Sequence, residues 1–163
     1  ELRLSKNYLI LRTSCLVSKS GNNFLKKILY LNKEKKIINV VDDQIASLTS
    51  AASLVEACWR AVEKYSKNNF HKNNEKILHF TNEGHCTRYK FAIEIANLAL
   101  KHGLISKKSQ INPVKTSNYF SNAKRPKYSV LDCSQTYKTL NIKPISWEKS
   151  IEDIILKLNQ IKK

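Results

Sequence analysis

Two short apolar stretches, YLILR (Tyr8 to Arg12) and IINVV (Ile37 to Val41), constrain the fold more than anything else in this chain. YLILR shows no helical period, and IINVV is continuous and β-branched, the pattern of buried parallel strands. Between them Phe24, Ile28 and Leu31 fall at i, i+4 and i+7, one face of a helix. Strand, helix, strand predicts a crossover unit, and hence an α/β chain built on a parallel sheet.

The same stripe recurs at Leu54, Val55, Cys58, Trp59 and Val62, with Thr49 or Ser50 placed to cap a second helix. ILHF, Ile77 to Phe80, predicts another strand, closed by the turn residues TNEG. Thr87 then caps a helix with Phe91, Ile95, Leu98 and Ala99 inward, stopped at Gly103. Ile111 to Val114 contains Pro113 and fits a short edge strand. Helices are expected over Ser134 to Leu140 and from Trp147 to about Ile161, the last with Ile151, Ile154, Leu158 and Ile161 on one face. KTSNYFSNAKRPKYSVLDCS between them is irregular, and loops of that length inside a compact domain are usually functional. Trp59 and Trp147 lie on or beside helical stripes and are expected as core anchors. Lys157, Lys162 and Lys163 suit the negative end of the last helix.

At 163 residues, with 42% hydrophobic composition, the chain is long enough for one domain with a real core. No apolar run approaches the roughly 20 residues of a bilayer crossing, and ELRLSKNYLILRTS lacks the order of a signal peptide. A cytoplasmic chain without membrane contact is therefore expected. The net charge of +16 raises nucleic acid as a partner. The cations are mostly lysines spread along the whole chain beside asparagine and isoleucine, with no RNP-like aromatic box, so weak nonspecific attraction is expected and no specific nucleic acid. Cys15, Cys58, Cys86 and Cys133 form no C-x-x-C pair and read as free thiols. His85 and Cys86 are adjacent, poor geometry for two ligands on one metal, so no metal site is assigned.

The familiar nucleotide chemistry is missing. Gly21, Gly84 and Gly103 are the only glycines and make neither G-x-G-x-x-G, nor a P-loop, nor a G-x-S-x-G elbow. No tyrosine is followed four residues later by a lysine, so the Tyr/Lys pair of short-chain reductases is absent and no catalytic residue is assigned. The chain contains no methionine, which reads as a trimmed start or as the later part of something longer.

Against those absences, four blocks occur in register. YLILRTSCLVSKSGNNFLKKIL, KKIINVVDDQIASLTSA, LHFTNEGHCTRYKFAIEIANLA and SNAKRPKYSVLDCSQTYKTLNIKPISWEKSIEDII together resemble the C-terminal half of the dTDP-4-dehydrorhamnose reductase family, which are extended short-chain reductases. The resemblance implies the C-terminal part of a Rossmann-like parallel sheet with a small, mostly helical substrate-binding cap. Residues 1–67 would be the last Rossmann-type strand and helix units, and 68–163 the cap and final helices. The N-terminal NAD(P)-binding half would be absent. In the complete family enzyme, NADPH or NADH reduces a dTDP-linked 4-keto sugar to dTDP-rhamnose while a tyrosine supplies the proton. Some members take magnesium, for which no ligand set is identified. The implied partners are the dTDP-sugar and either the missing half or a second copy, and the chain alone is expected to be catalytically incompetent.

Carried over residue by residue, the family's R-T-S-W falls on Arg12, Thr13, Ser14 and Cys15. The resemblance places Thr13 and Ser14 by the cofactor, and Cys15 where the family has an aromatic wall for the sugar nucleotide. GNNF matches G-x-N-F, so Asn23 is a candidate for the ligand's diphosphate and equally a plain helix cap. AKRPKYSVLD matches R-P-x-x-S-x-L, making Arg125 a diphosphate candidate or a surface arginine beside a turn proline. VVDDQIASLTS is similar to V-x-D-Q-x-G-x-P-T. Asp42 and Asp43 then read as a strand-end turn, with Asp43, Gln44 and Thr49 lining the nucleotide cleft. Ala46 stands for the family's glycine and Leu48 for its proline, which predicts a strained or loosened substrate loop. Those substitutions and Cys15 also suit an alternative, a non-enzymatic module similar to the regulatory subunit of methionine adenosyltransferase. A basic nucleic-acid binder is the second alternative.

Overall fold

A computed structural model describes residues 8–67, 76–119 and 125–160. In chain order its first elements are β1 (Ile10–Arg12), β2 (Leu16–Val17), α1 (Phe24–Glu34), β3 (Ile37–Val41), β4 (Ile45–Ala46), β5 (Thr49–Ser50) and α2 (Ala51–Lys67). There follow β6 (Ile77–His79), β7 (Cys86–Thr87), α3 (Arg88–Lys101), β8 (Gln110–Val114), a 3-10 turn (Thr116–Asn118), β9 (Tyr128–Ser129), α4 (Ser134–Leu140) and α5 (Trp147–Gln160). No described helix is long and apolar enough to cross a membrane.

The helix starts follow from side chains that accept the first orphan amides. Asn23 accepts from Lys26 N–H, Ser50 from Ser53 N–H and Thr87 from Lys90 N–H, capping α1, α2 and α3 in turn. At the far ends, Gly103 (φ +70) follows α3, and Asn141 (φ 50) closes α4 in the left-handed conformation. Gly84 is required twice over: its φ is +88, and a Cβ there would stand 3.0 Å from Trp147 Cδ1. This close approach lets Trp147 N–H reach Glu83 O at 3.1 Å.

The strand pairings are mainly parallel, as the α/β reading expects. β1 pairs with β6, β2 with β5, β3 with β8 and β4 with β9, all in parallel; β4 also pairs antiparallel with β7. Helix α3 is the centre of the main core, with Phe91, Ala92, Ile95 and Ala99 fully buried against α1, α5 and the β3/β8 pair. Trp147 meets Phe91 edge to face at 4.8 Å, as a core anchor should. A smaller cluster of Ala61, Tyr65, Leu78 and Leu140 joins α2, β6 and α4.

Three expectations are corrected. The predicted crossover β1–α1–β3 does not form, because β1 and β3 belong to different strand pairs. The reason is that α1 packs on α3, and β3 finds its partner in β8, 69 or more residues further on, where Ile38 faces Ile111. IINVV is not buried throughout either: Ile37 and Asn39 are exposed, because α3 packs against the face that carries Ile38 and Val40. In α2, Val55, Trp59 and Val62 of the predicted stripe face outward at 55%, 65% and 54% exposure, while Ala57, Ala61 and Tyr65 are buried. Small residues let the helix approach its neighbours closely, and Trp59 is not a core anchor. Both β1/β6 and β3/β8 cross the 67/68 division. Ile161, Lys162 and Lys163 lie outside the described residues.

Candidate functional site

The site grows from the end of β3, where the three residues Asp42, Asp43 and Gln44 take different partners. Asp42 holds the chain at both its ends: its N–H donates to Val114 O at 2.9 Å, and Thr87 Oγ1 donates to its carboxylate at 2.6 Å. Asp43 accepts three hydrogen bonds from Thr116, which hold its carboxyl below the usual carboxylate range. Gln44 is buried, donating from Nε2 to Thr116 Oγ1 at 3.1 Å and accepting at Oε1 from Arg88 Nε at 3.2 Å.

Gln44, Arg88 and Thr116 edge a cavity of about 1010 Å³. Its wall carries the cations Lys27, Arg88, Arg125 and Lys127, the aromatics Phe24 and Tyr119, and, among the described residues, no carboxylate. Such a lining suits an anion with an apolar or planar end. Cys15 also faces the cavity, with φ 42 in the left-handed region. Burial pushes its thiol up against the opposing pull of Arg88 and Arg125, so it stays protonated at neutral pH. The arrangement is one for holding charge.

Of the residues anticipated from the sequence, Cys15, Gln44 and Arg125 line this cavity. Thr13, Ser14 and Thr49 instead lock the β1–β2 loop to β5 and β9. Thr13 Oγ1 donates to Thr49 Oγ1 at 2.9 Å, Thr49 Oγ1 to Ser14 O at 2.7 Å, and Ser14 Oγ to Ser129 O at 3.1 Å. Asn23 is spent on the helix cap and on two loop carbonyls, Ser18 O and Ser20 O. Asp43 sits one partner behind the wall. Ala46 has no positive φ and lies in β4, so the expected strain is not found, and Leu48 is fully buried in the core.

The sequence reading missed Arg88, Thr116, Lys27 and Tyr119. Thr116 and Tyr119 fall in the irregular segment flagged as functional; Arg88 was hidden as the first residue of α3, and Lys27 as a routine α1 lysine. A second cavity of about 520 Å³ is edged by Ser53, Asn82 and Tyr137. Two of its polar groups are already engaged: Asn82 bonds Ser50 N–H, Ser53 and Ile145 O, and Tyr137 O–H donates to Thr81 O at 2.7 Å.

Residues 2–160 match the family described as RmlD substrate binding domain. The chain is 33% identical over 153 residues to a dTDP-4-dehydrorhamnose reductase of Aggregatibacter actinomycetemcomitans, covering 94% of this chain and 51% of that protein. Among solved structures, it resembles a dTDP-4-dehydrorhamnose reductase from Clostridium acetobutylicum ATCC 824 with a TM-score of 0.83 and 30% identity, covering 97% of this chain and 51% of the other. A dTDP-4-dehydrorhamnose reductase from Bacillus anthracis str. Ames, solved in complex with NADP, superposes with a TM-score of 0.78 at 31% identity, over 96% and 50% of the two chains. The chain thus spans about half the length of the curated relatives it matches.

Proposed function

This chain belongs to the RmlD substrate-binding domain family, and we propose that its large cavity is a sugar-nucleotide site for a dTDP-linked 4-keto hexose and its reduced product. The observation that carries the proposal is the wall of Lys27, Arg88, Arg125 and Lys127 beside Phe24 and Tyr119, without a carboxylate among the described residues. The cations suit the diphosphate, and the aromatic rings suit a planar base. Relatives named dTDP-4-dehydrorhamnose reductase favour thymidine as that base and a deoxyhexose as the sugar.

A reductase relative is solved in complex with NADP, and the described residues of this chain do not fit a nicotinamide cofactor. Its glycines lie in three separate turns, and the hydroxyls of Thr13 and Ser14 are occupied by Thr49 and Ser129. Hydride and proton delivery therefore belong to a companion dinucleotide-binding half, in the same polypeptide or in another. Two surfaces suit that half. β1 pairs on one edge only among the described residues, and the exposed Val55, Trp59 and Val62 form an apolar stripe along α2. Parallel sheets are ordinarily covered on both faces and extended beyond two strands, which is what a companion sheet with its helices supplies.

Calorimetric titration of the 163-residue chain with dTDP-L-rhamnose tests the reading. One saturable site is expected, with no NADPH oxidation when the keto sugar is supplied. Absence of saturable binding overturns the sugar-nucleotide site, and turnover of NADPH by this chain alone overturns the division of labour.

A further inference from the structure

Arg88 is held at the cavity wall by a chain of hydrogen bonds that begins at Asp43. The Asp43 carboxylate accepts from the Thr116 backbone N–H at 3.0 and 3.1 Å and from the Thr116 hydroxyl at 2.6 Å. With its proton committed to Asp43, the hydroxyl oxygen is left to accept, and it accepts from Gln44 Nε2 at 3.1 Å. That orients the Gln44 amide so that Oε1 faces Arg88, whose Nε–H donates to it at 3.2 Å. Two further contacts fix the same arginine. Its backbone N–H donates to Gln44 O at 3.2 Å, and its guanidinium lies 5.6 Å from the Phe24 ring centroid.

Among the described residues, no carboxylate lies within ion-pairing distance of Arg88, in contrast to Arg60, which pairs with Glu56. Beyond the Nε–H given to Gln44 and a hydrogen bond with the Cys15 thiol, the guanidinium keeps terminal N–H groups for a ligand, and its planar fork matches two phosphate oxygens at once. We propose that Arg88, aligned by Asp43, Thr116 and Gln44, clamps the diphosphate of a nucleoside diphosphate ligand, and that Asp43 and Thr116 are positioning residues that do not touch it. This rests on the sugar-nucleotide reading of the same cavity. The direction of the relay is essential to it. Were the Gln44 amide reversed, its NH2 would face the guanidinium donor to donor, and only an acceptor at Asp43 keeps the Thr116 proton where it prevents this. The arrangement also keeps the Asp43 charge one partner back from an anionic ligand.

The test is calorimetric titration of dTDP, and separately of thymidine, into wild type, Arg88→Lys, Thr116→Val and Thr116→Ser, with a thermal melt for each. Arg88→Lys keeps the charge and loses the fork, and weakens dTDP about tenfold. Thr116→Val, which breaks the relay at its middle, weakens dTDP about fivefold, and Thr116→Ser restores it. Thymidine, lacking phosphate, binds all four proteins alike. If wild type binds dTDP and neither Arg88→Lys nor Thr116→Val weakens it, the clamp is overturned while the sugar-nucleotide site stands. If thymidine weakens in parallel with dTDP, the positioning role is overturned in favour of a structural one. A wild-type chain that binds no dTDP overturns the reading on which the clamp rests.

Discussion

Leu48 stands where the sequence resemblance puts a proline, yet its side chain is completely buried among the core residues around Phe91 and Ile95. A leucine exchanged for a proline looks like lost rigidity when only the chain is read. Here the larger side chain converts a loop residue into a packing residue, and tertiary contact takes over the role of a fixed φ. Leu48→Ala should therefore cost roughly 2 to 5 kcal/mol in chemical denaturation, the range for emptying a tight leucine site. A cost near zero would show the loop to be as loose as its sequence suggests. Cys15, Gln44 and Arg125 were legible because motif position survives in sequence. Arg88 and Thr116 were not, because their importance lies in a hydrogen-bonded chain between residues 44 and 116, which no local pattern encodes.

The elements were legible where periodicity and caps agree, as in α3, whose inward Phe91, Ile95, Leu98 and Ala99 are all buried. In α2, two apolar faces compete, and periodicity alone favours the bulkier one, which is the face left outside. Trp59→Lys should accordingly change the stability of the chain by less than roughly 0.5 kcal/mol, as for an ordinary surface site. It should also weaken association with a companion half, read by co-purification; a large loss of stability would return Trp59 to the core. A different lock joins α3 to α5. Glu152 accepts from His102 Nε2 at 2.8 Å and from Lys101 Nζ at 3.0 Å, and these bonds hold its carboxyl down to about 2. A depressed carboxylate stabilises the fold fully above the ordinary carboxylate range, and that contribution is lost as pH falls through the folded value of about 2. Melts of wild type and Glu152→Gln should thus differ at pH 7 and converge in acid; a gap independent of pH would contradict the ion-pair account.

For the whole molecule, the α/β class was legible and the path of the chain through it was not. Adjacent strand-like segments suggested one crossover, but β1 and β3 each wait for a distant partner, β6 and β8, and pairing across such separations is decided by packing rather than by neighbouring sequence. That wiring is what brings the end of β3, the start of α3, the Thr116 turn and Arg125 around one cavity. The most direct test is a map of backbone amide shifts in isotope-labelled protein as dTDP-L-rhamnose is added. The account predicts saturable shifts at Cys15, Gln44, Arg88, Thr116 and Arg125, with Ser53, Asn82 and Tyr137 of the smaller cavity unmoved. Shifts confined to the smaller cavity, or none at saturating ligand, would contradict it.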